Sequence, residues 1–160
     1  MDTERLILSP LTPEDHQFII ALVNSKGWLE FIGDRKVHSK NDAITYIDKI
    51  INTQDIFYRV VRLKSDNIPI GIISFLKRSY LENFDIGFAF LPEFIGYGYA
   101  HEATQKVMEE IAQSKIHSHI LATTIPNNIN SIKLLKKLGF QFDKEIETDN
   151  EKLHVYSIEL

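Results

Sequence analysis

The chain has 160 residues, a formal net charge of −4 and no cysteine. The length suits one domain, residues 1–160, with a sizeable core. The acidic balance gives no general pull toward nucleic acid or an anionic membrane, and the missing thiols exclude disulfides, thiolate zinc sites and cysteine nucleophiles. No apolar run approaches a membrane span, and the opening MDTERLILSP lacks the basic and apolar regions of a signal peptide, so a cytoplasmic setting is expected.

In chain order, Arg5 to Ser9 reads as a short apolar strand. Thr12 before Pro13, with Asp15 three residues on, signals a helix start, and Phe18, Ile19, Leu22 and Val23 give that helix one apolar face. GWLEFIGDR reads as a connector rich in bulky apolar residues. Ser39 with Asp42 marks a second start, followed by a buried stripe of Ala43, Ile47, Ile50 and Ile51. Three β-branched and aromatic runs follow, Ile56 to Leu63, Ile68 to Leu76 and Phe84 to Leu91, and turn residues between them predict an antiparallel meander. A glycine-rich turn then leads into a helix with Ala100, Ala103, Val107 and Ile111 on one face. His119 to Ile125 is a strand. NNINSIKLLKKLG is a short helix, with Ile132, Leu135 and Leu138 inward and Gly139 as its stop. FQFDKEIE and KLHVYSIEL close the chain as a hairpin. The order is β-α-α-β-β-β-α-β-α-β-β, an α+β fold with a mixed, mostly antiparallel sheet of about seven strands flanked by about four helices.

The turn in LPEFIGYGYAHEAT places Gly96 and Gly98 two apart, directly before a helix. A dinucleotide fingerprint needs a third glycine where His101 stands, and a triphosphate loop needs Gly-Lys-Ser/Thr, which is absent. Two readings stay open: a cradle of backbone N–H groups for a pyrophosphate, capped by the helix dipole, and a plain strand-to-helix connection. Downstream, Asn128 and Ser131 open a helix, where capping is their ordinary use.

Taken together, DIGFAFLPEFIGYGYAHEA and the following N-x-x-S-x-x-L-L-x-K-L-G-F resemble the two core motifs of the GNAT superfamily of acetyl-CoA-dependent N-acetyltransferases. TERLILSPLTPED and FIGDR resemble its RimJ/RimL-like branch, which includes the ribosomal-protein N-terminal acetyltransferases. The resemblance covers essentially the whole chain. It implies acetyl-CoA as co-substrate, no metal, and transfer of an acetyl group to a primary amine, a protein N-terminus or a small molecule. No nucleic-acid or membrane partner is expected, and the chain is expected as a monomer or homodimer. The signature often carries Gln or Arg where this chain has Glu93, so Glu93 is expected to face solvent while the backbone binds.

The resemblance assigns roles to residues. Gly96, Tyr97, Gly98, Tyr99 and Ala100 hold the pyrophosphate through main-chain donors. The backbone of Phe88, Ala89, Phe90 and Leu91, on a strand expected to be bulged and splayed from its neighbour, lies beside the pantetheine arm and the thioester. Asp85 is the candidate base for the amine's proton, against a solvated strand residue. Ser131 is the candidate donor to the leaving thiolate, with Asn128 holding pantetheine amides, against a capping role. The tyrosine that many members place after the second motif is Phe140 here, and none follows until Tyr156. Glu102 reads as structural. Lys133, Lys136 and Lys137 read as nucleotide-phosphate contacts or a solvated face. Trp28 and Phe31 line an acceptor pocket or pack in the core. His101, His117 and His119 read as surface residues. The net charge mildly suits a cationic acceptor. A non-catalytic acyl-CoA-binding module and a nucleotide-binding regulatory domain are the competing readings.

Overall fold

The computed structural model describes residues 1–149 and 151–160. Strands β1 (Leu6–Pro10), β2 (Ile56–Leu63), β3 (Pro69–Leu76), β4 (Asp85–Phe90), β5 (His119–Thr124), β6 (Gln141–Thr148) and β7 (Glu151–Glu159) form one sheet. Their order is β1-β2-β3-β4-β5-β7-β6. Every neighbouring pair is antiparallel except β4 and β5. The helices are α1 (His16–Val23), α2 (Lys26–Phe31), α3 (Lys40–Ile51), α4 (Tyr99–Ser114) and α5 (Ile129–Lys137). Among the described residues no helix is long and apolar enough to cross a membrane.

The expected element order holds, with one addition. The segment read as a connector contains α2, whose single inward anchor, Trp28, is 5% exposed. A helix of six residues is too short to show a repeating apolar stripe, so periodicity could not reveal it. The Thr12 start is a 3₁₀ turn, Pro13–Asp15, running into α1. Asp15 accepts from the Thr12 N–H at 2.9 Å and also pairs with Arg62. The Ser39–Asp42 capping box opens α3 as expected, with Asp42 N–H donating to Ser39 Oγ at 3.0 Å. Ile51 is exposed, so the α3 stripe ends at Ile50.

Period-two alternation gives the central strands two apolar faces. Val61, Ile73 and Ile86 pack with Ala103, Val107 and Ile111 of α4, while Val60 and Ile72 pack with Ile19, Leu22, Ala43 and Ile47 of α1 and α3. The central strands are therefore covered on both sides, whereas β6 at the edge is largely exposed.

One glycine sets the local packing beside that gap. A Cβ on Gly71 would sit 2.5 Å from the Phe90 ring across the β3–β4 ladder. Gly71→Ala is expected to lower stability by roughly 1–3 kcal/mol, the usual cost of overpacking, because a ring cannot rotate away as a flexible chain end can. Denaturant melts of both proteins check this; an unchanged midpoint means that Phe90 relocates freely.

Candidate active site

The one parallel pair, β4 and β5, is joined by α4 in a βαβ unit, and ligands bind such units at the carboxyl ends of the strands. Here β4 and β5 are paired in register only at Asp85 and Leu121. Beyond that rung they diverge, and a cleft of about 540 Å³ occupies the space. The β4 ladder with β3 runs unbroken from Leu76–Asp85 to Gly71–Phe90. The expected bulge in β4 is therefore absent; the register shifts lie in β2 at Val61/Arg62 and in β6 at Phe142/Lys144. The splay comes from lost pairing with β5, and it leaves the β5-facing edge of β4 unpaired in the middle of the sheet.

Phe88, Ala89 and Phe90 line this cleft, whereas Leu91 turns away to pack on the α1–α3 core. Gly96, Gly98, Tyr99 and Ala100 line it as well. The Tyr97 side chain does not: it is 60% exposed and stacks on Tyr99 with ring centroids 5.7 Å apart. Gly96 and Gly98 both hold positive φ, +95° and +82°, which L side chains rarely adopt, and a Cβ on Gly96 would have no atom within 4 Å. That leaves room for a ligand to approach the backbone. The first helical bond of α4 is from Glu102 N–H to Gly98 carbonyl, so the N–H groups of Tyr99, Ala100 and His101 have no partner among the described residues. Unpaired donors at the positive end of a sixteen-residue helix are the arrangement that anions favour. Glu93 is exposed and outside the cleft.

Glu102 fastens this turn to the first strand. It accepts from Thr3 Oγ1 at 2.5 Å, the Arg5 N–H at 2.9 Å and Arg5 Nε at 2.7 Å. Arg5 in turn donates from Nη1 to the Tyr97 carbonyl at 3.0 Å and lies over the Tyr99 ring at 4.5 Å. Burial alone would raise the Glu102 carboxyl, but the bonds from Thr3 and Arg5 outweigh it and hold it below the ordinary glutamate range.

Asp85 is not a solvated strand residue. It is 3% exposed, accepts from Arg78 Nε at 3.1 and 3.2 Å, and receives a longer bond, 3.4 Å, from Thr123 Oγ1. Burial raises its carboxyl above the ordinary aspartate range, against the pull of Arg78. Across the cleft, Asn128 is the cap of α5: its Oδ1 accepts from the Ser131 N–H at 3.3 Å. Ser131 is therefore capped rather than capping, and its hydroxyl lines the cleft with no hydrogen bond among the described residues. Tyr156 is buried in the core away from the cleft, as is Phe140. Lys133 and Lys137 reach the cleft and Lys136 does not. His101 lines the cleft, while His117 packs edge-on against Phe75 at 5.1 Å. Among the described residues no group of three or more His, Asp or Glu could hold a metal ion.

Sequence reasoning missed Arg35, Arg78 and Tyr58, which line the cleft beside Trp28 and Phe31. Arg78 stands in a turn after β3, and only the antiparallel register of Leu76 with Asp85 brings it to the carboxylate. Trp28 serves both readings at once, packed in the core and lining the cleft.

The sequence model of the acetyltransferase (GNAT) domain matches residues 5–141. The chain belongs to the GNAT acetyltransferase family. Within the family it is similar to the uncharacterized N-acetyltransferase YnaD of Bacillus subtilis (strain 168), 28% identical over 93% of this chain and 89% of that protein. Its fold matches a GNAT-family acetyltransferase from Bacillus anthracis, with 24% identity, a TM-score of 0.83 and coverage of 99% of this chain and 97% of the other. It also matches RimL, the ribosomal L7/L12 α-N-protein acetyltransferase solved with coenzyme A, with 16% identity, a TM-score of 0.85 and coverage of 99% and 96%.

The Glu102 clamp makes a pH-dependent contribution to stability with a definite sign. A carboxyl with a depressed folded pKa stabilises above its unfolded pKa, about 4.3 for glutamate, and the gain is lost as pH falls through the folded value. Melting temperatures followed from pH 7 to pH 3 should therefore fall more steeply for the parent than for Glu102→Gln. Parallel curves would remove the clamp from the stability of the fold.

Proposed function

We propose that the protein transfers the acetyl group of acetyl-CoA to the nitrogen of a primary amine by direct attack, with both substrates held in the cleft between β4 and β5. The observation that carries this reading is the meeting, in one cleft, of an unpaired strand edge, an anion site at the start of α4 and a buried carboxylate. The chain is read as one GNAT domain of the RimJ/RimL-like branch, supported by the TERL segment, whose Thr3 and Arg5 bind Glu102 beside the glycine turn.

Acetyl-CoA supplies the acyl group as a thioester. In this reading the turn from Gly96 to Ala100 and the free N–H groups of α4 hold the pyrophosphate, with Lys133 and Lys137 adding charge. The open edge of β4 at Phe88 to Phe90 offers main-chain groups to the pantetheine amides, joined by the side-chain NH₂ of Asn128. A preorganised N–H on that edge polarises the thioester carbonyl as its oxygen gains charge. Asp85 accepts the amine's proton, directly or through water. Its burial raises its basicity, which suits it to accept from an ammonium, while Arg78 pulls the other way and favours the carboxylate form. Ser131 Oγ donates to the departing thiolate. A thiol has an ordinary pKa of about 8.5, so a weak donor suffices. A non-catalytic acyl-CoA-binding module keeps the same cradle, and the arginine engaging Asp85 is the observation in its favour.

Two measurements test these assignments. Gly96→Val puts a branched side chain into the open space of the cradle, and calorimetry should show CoA affinity falling at least tenfold while a melting curve still reports a folded protein; full affinity would move the pyrophosphate elsewhere. Thiol release from acetyl-CoA tests the base. Asp85→Asn should slow turnover by ~10²–10⁴-fold, the usual share of a general base, with CoA affinity unchanged. The parent's rate should fall on its acid side at a pH above the ordinary aspartate value of about 3.9, because the raised carboxyl must be ionised to act. CoA binding without turnover on any amine would select the binding module.

A further inference from the structure

The charge of the cleft runs opposite to that of the chain. Arg35, Arg78, Lys133 and Lys137 line it against a single carboxylate, Asp85, although the protein as a whole carries −4. Lys133 and Lys137 belong to α5, near the groups assigned above to the cofactor. Arg35 and Arg78 belong to a different wall, where α2 and the segment after it meet β2 and the end of β3. That wall lacks a job in the cofactor reading.

Its chemistry is consistent across three groups. Arg35 lies 5.7 Å from the Trp28 ring centroid and has no carboxylate within ion-pair distance among the described residues. Arg78 spends its Nε on Asp85 and leaves both terminal nitrogens without a partner among the described residues. Trp28 is 5% exposed, and its indole N–H is buried with no hydrogen-bond acceptor. That nitrogen is closed off, so Trp28 serves the wall as aromatic surface. Tyr58 lines the same wall, and burial, with Tyr46, pushes its hydroxyl above the ordinary phenol range. Against these two cations the wall sets one carboxylate, Asp85, which Arg78 already engages through Nε, while Trp28, Phe31 and Tyr58 provide aromatic surface.

We propose that the acceptor is a primary amine bearing a carboxylate near its nitrogen, with the carboxylate held by Arg35 and Arg78 and the rest of the molecule against the aromatic wall of Trp28, Phe31 and Tyr58. This rests on the acetyl-transfer reading and names its substrate class. The geometry favours it over a polyamine, whose further positive charges would lie against two guanidiniums with only Asp85, already engaged by Arg78, to offset them. The same cations favour the neutral form of a bound amine, the form that attacks. Two sources supply this chemistry: the α-carboxylate of a free amino acid, and an acidic residue following a peptide's N-terminus.

The test compares Ala-Asp-amide, Ala-Asn-amide, Ala-Lys-amide, free alanine and spermidine on the parent protein, on Arg35→Gln and on Trp28→Phe. Each probe is titrated by calorimetry with and without CoA, and kcat/KM is read by thiol release. CoA binding is measured first and by itself, so loss of the cofactor reading is seen separately. Ala-Asp-amide or free alanine should exceed Ala-Asn-amide by roughly tenfold or more in affinity, the scale of one charge-assisted hydrogen bond, and whichever leads identifies the source. Arg35→Gln, at an exposed position, should collapse that ratio toward one, and Trp28→Phe, which keeps both cations and an aromatic wall, should leave it in place. Equal affinity for Ala-Asp-amide, free alanine and Ala-Asn-amide, or preference for Ala-Lys-amide or spermidine, overturns the proposal even where acetyl transfer is intact. A carboxylate preference that survives Arg35→Gln unchanged overturns the assignment of the wall.

Discussion

A sheet that is sealed everywhere binds nothing between its strands. The architecture of this protein turns on a parallel pairing that stops after one rung: β4 and β5 meet at Asp85 and Leu121 and then separate. Everything chemically useful follows from that separation. It leaves main-chain donors and acceptors of β4 open in the interior of the sheet, where the dielectric is low and a hydrogen bond is stronger than in water. It places α4, the crossover between the two strands, so that its positive end faces the opening. It also puts Asp85 at the apex, the last paired residue, where burial and access to the cleft coincide.

Around that opening the protein builds two electrostatic compartments on different principles. The glycine turn uses backbone N–H groups, which carry no side chain to desolvate and cannot move out of place. The facing wall uses guanidiniums, which are always charged and present planar forks. A net charge counted over the whole chain describes neither. Fields act over a Debye length of about 8 Å at physiological salt, so the acidic residues scattered over the outer surface say little about what a buried cleft prefers, and the expectation of a cationic acceptor from overall charge does not match the side chains that line the site.

The sequence made the meander, the glycine turn and α5 legible because each is written in local terms: alternation, positive-φ residues before a helix, and a polar cap followed by an apolar stripe. The N–H donors at Tyr99 and Ala100 came with the glycine turn, whereas the open edge at Phe88 to Phe90 was implied only by the family resemblance, which also expected a bulge that β4 lacks. What stayed hidden depends on residues far apart. Arg78 sits in a turn with no pattern, and its relevance arises only from pairing across β3 and β4. Arg35 lies in a segment without regular structure. The direction of Leu91 and Tyr97 depends on where a strand ends and how a turn coils, and one residue's difference sends a side chain to the other face. The swap of roles at α5 has the same origin: Asn128 and Ser131 are equally good caps by composition, and only the backbone decides which accepts from the other.

The strap from Thr3 and Arg5 to Glu102 spans 99 and 97 residues of sequence. Closing so long a loop carries an entropic cost that grows only slowly with its length, so the strap can tie the glycine turn to the segment before β1 across most of the chain. A ligand that binds only the braced turn would draw its affinity from, and return stability to, that segment and the central helix together.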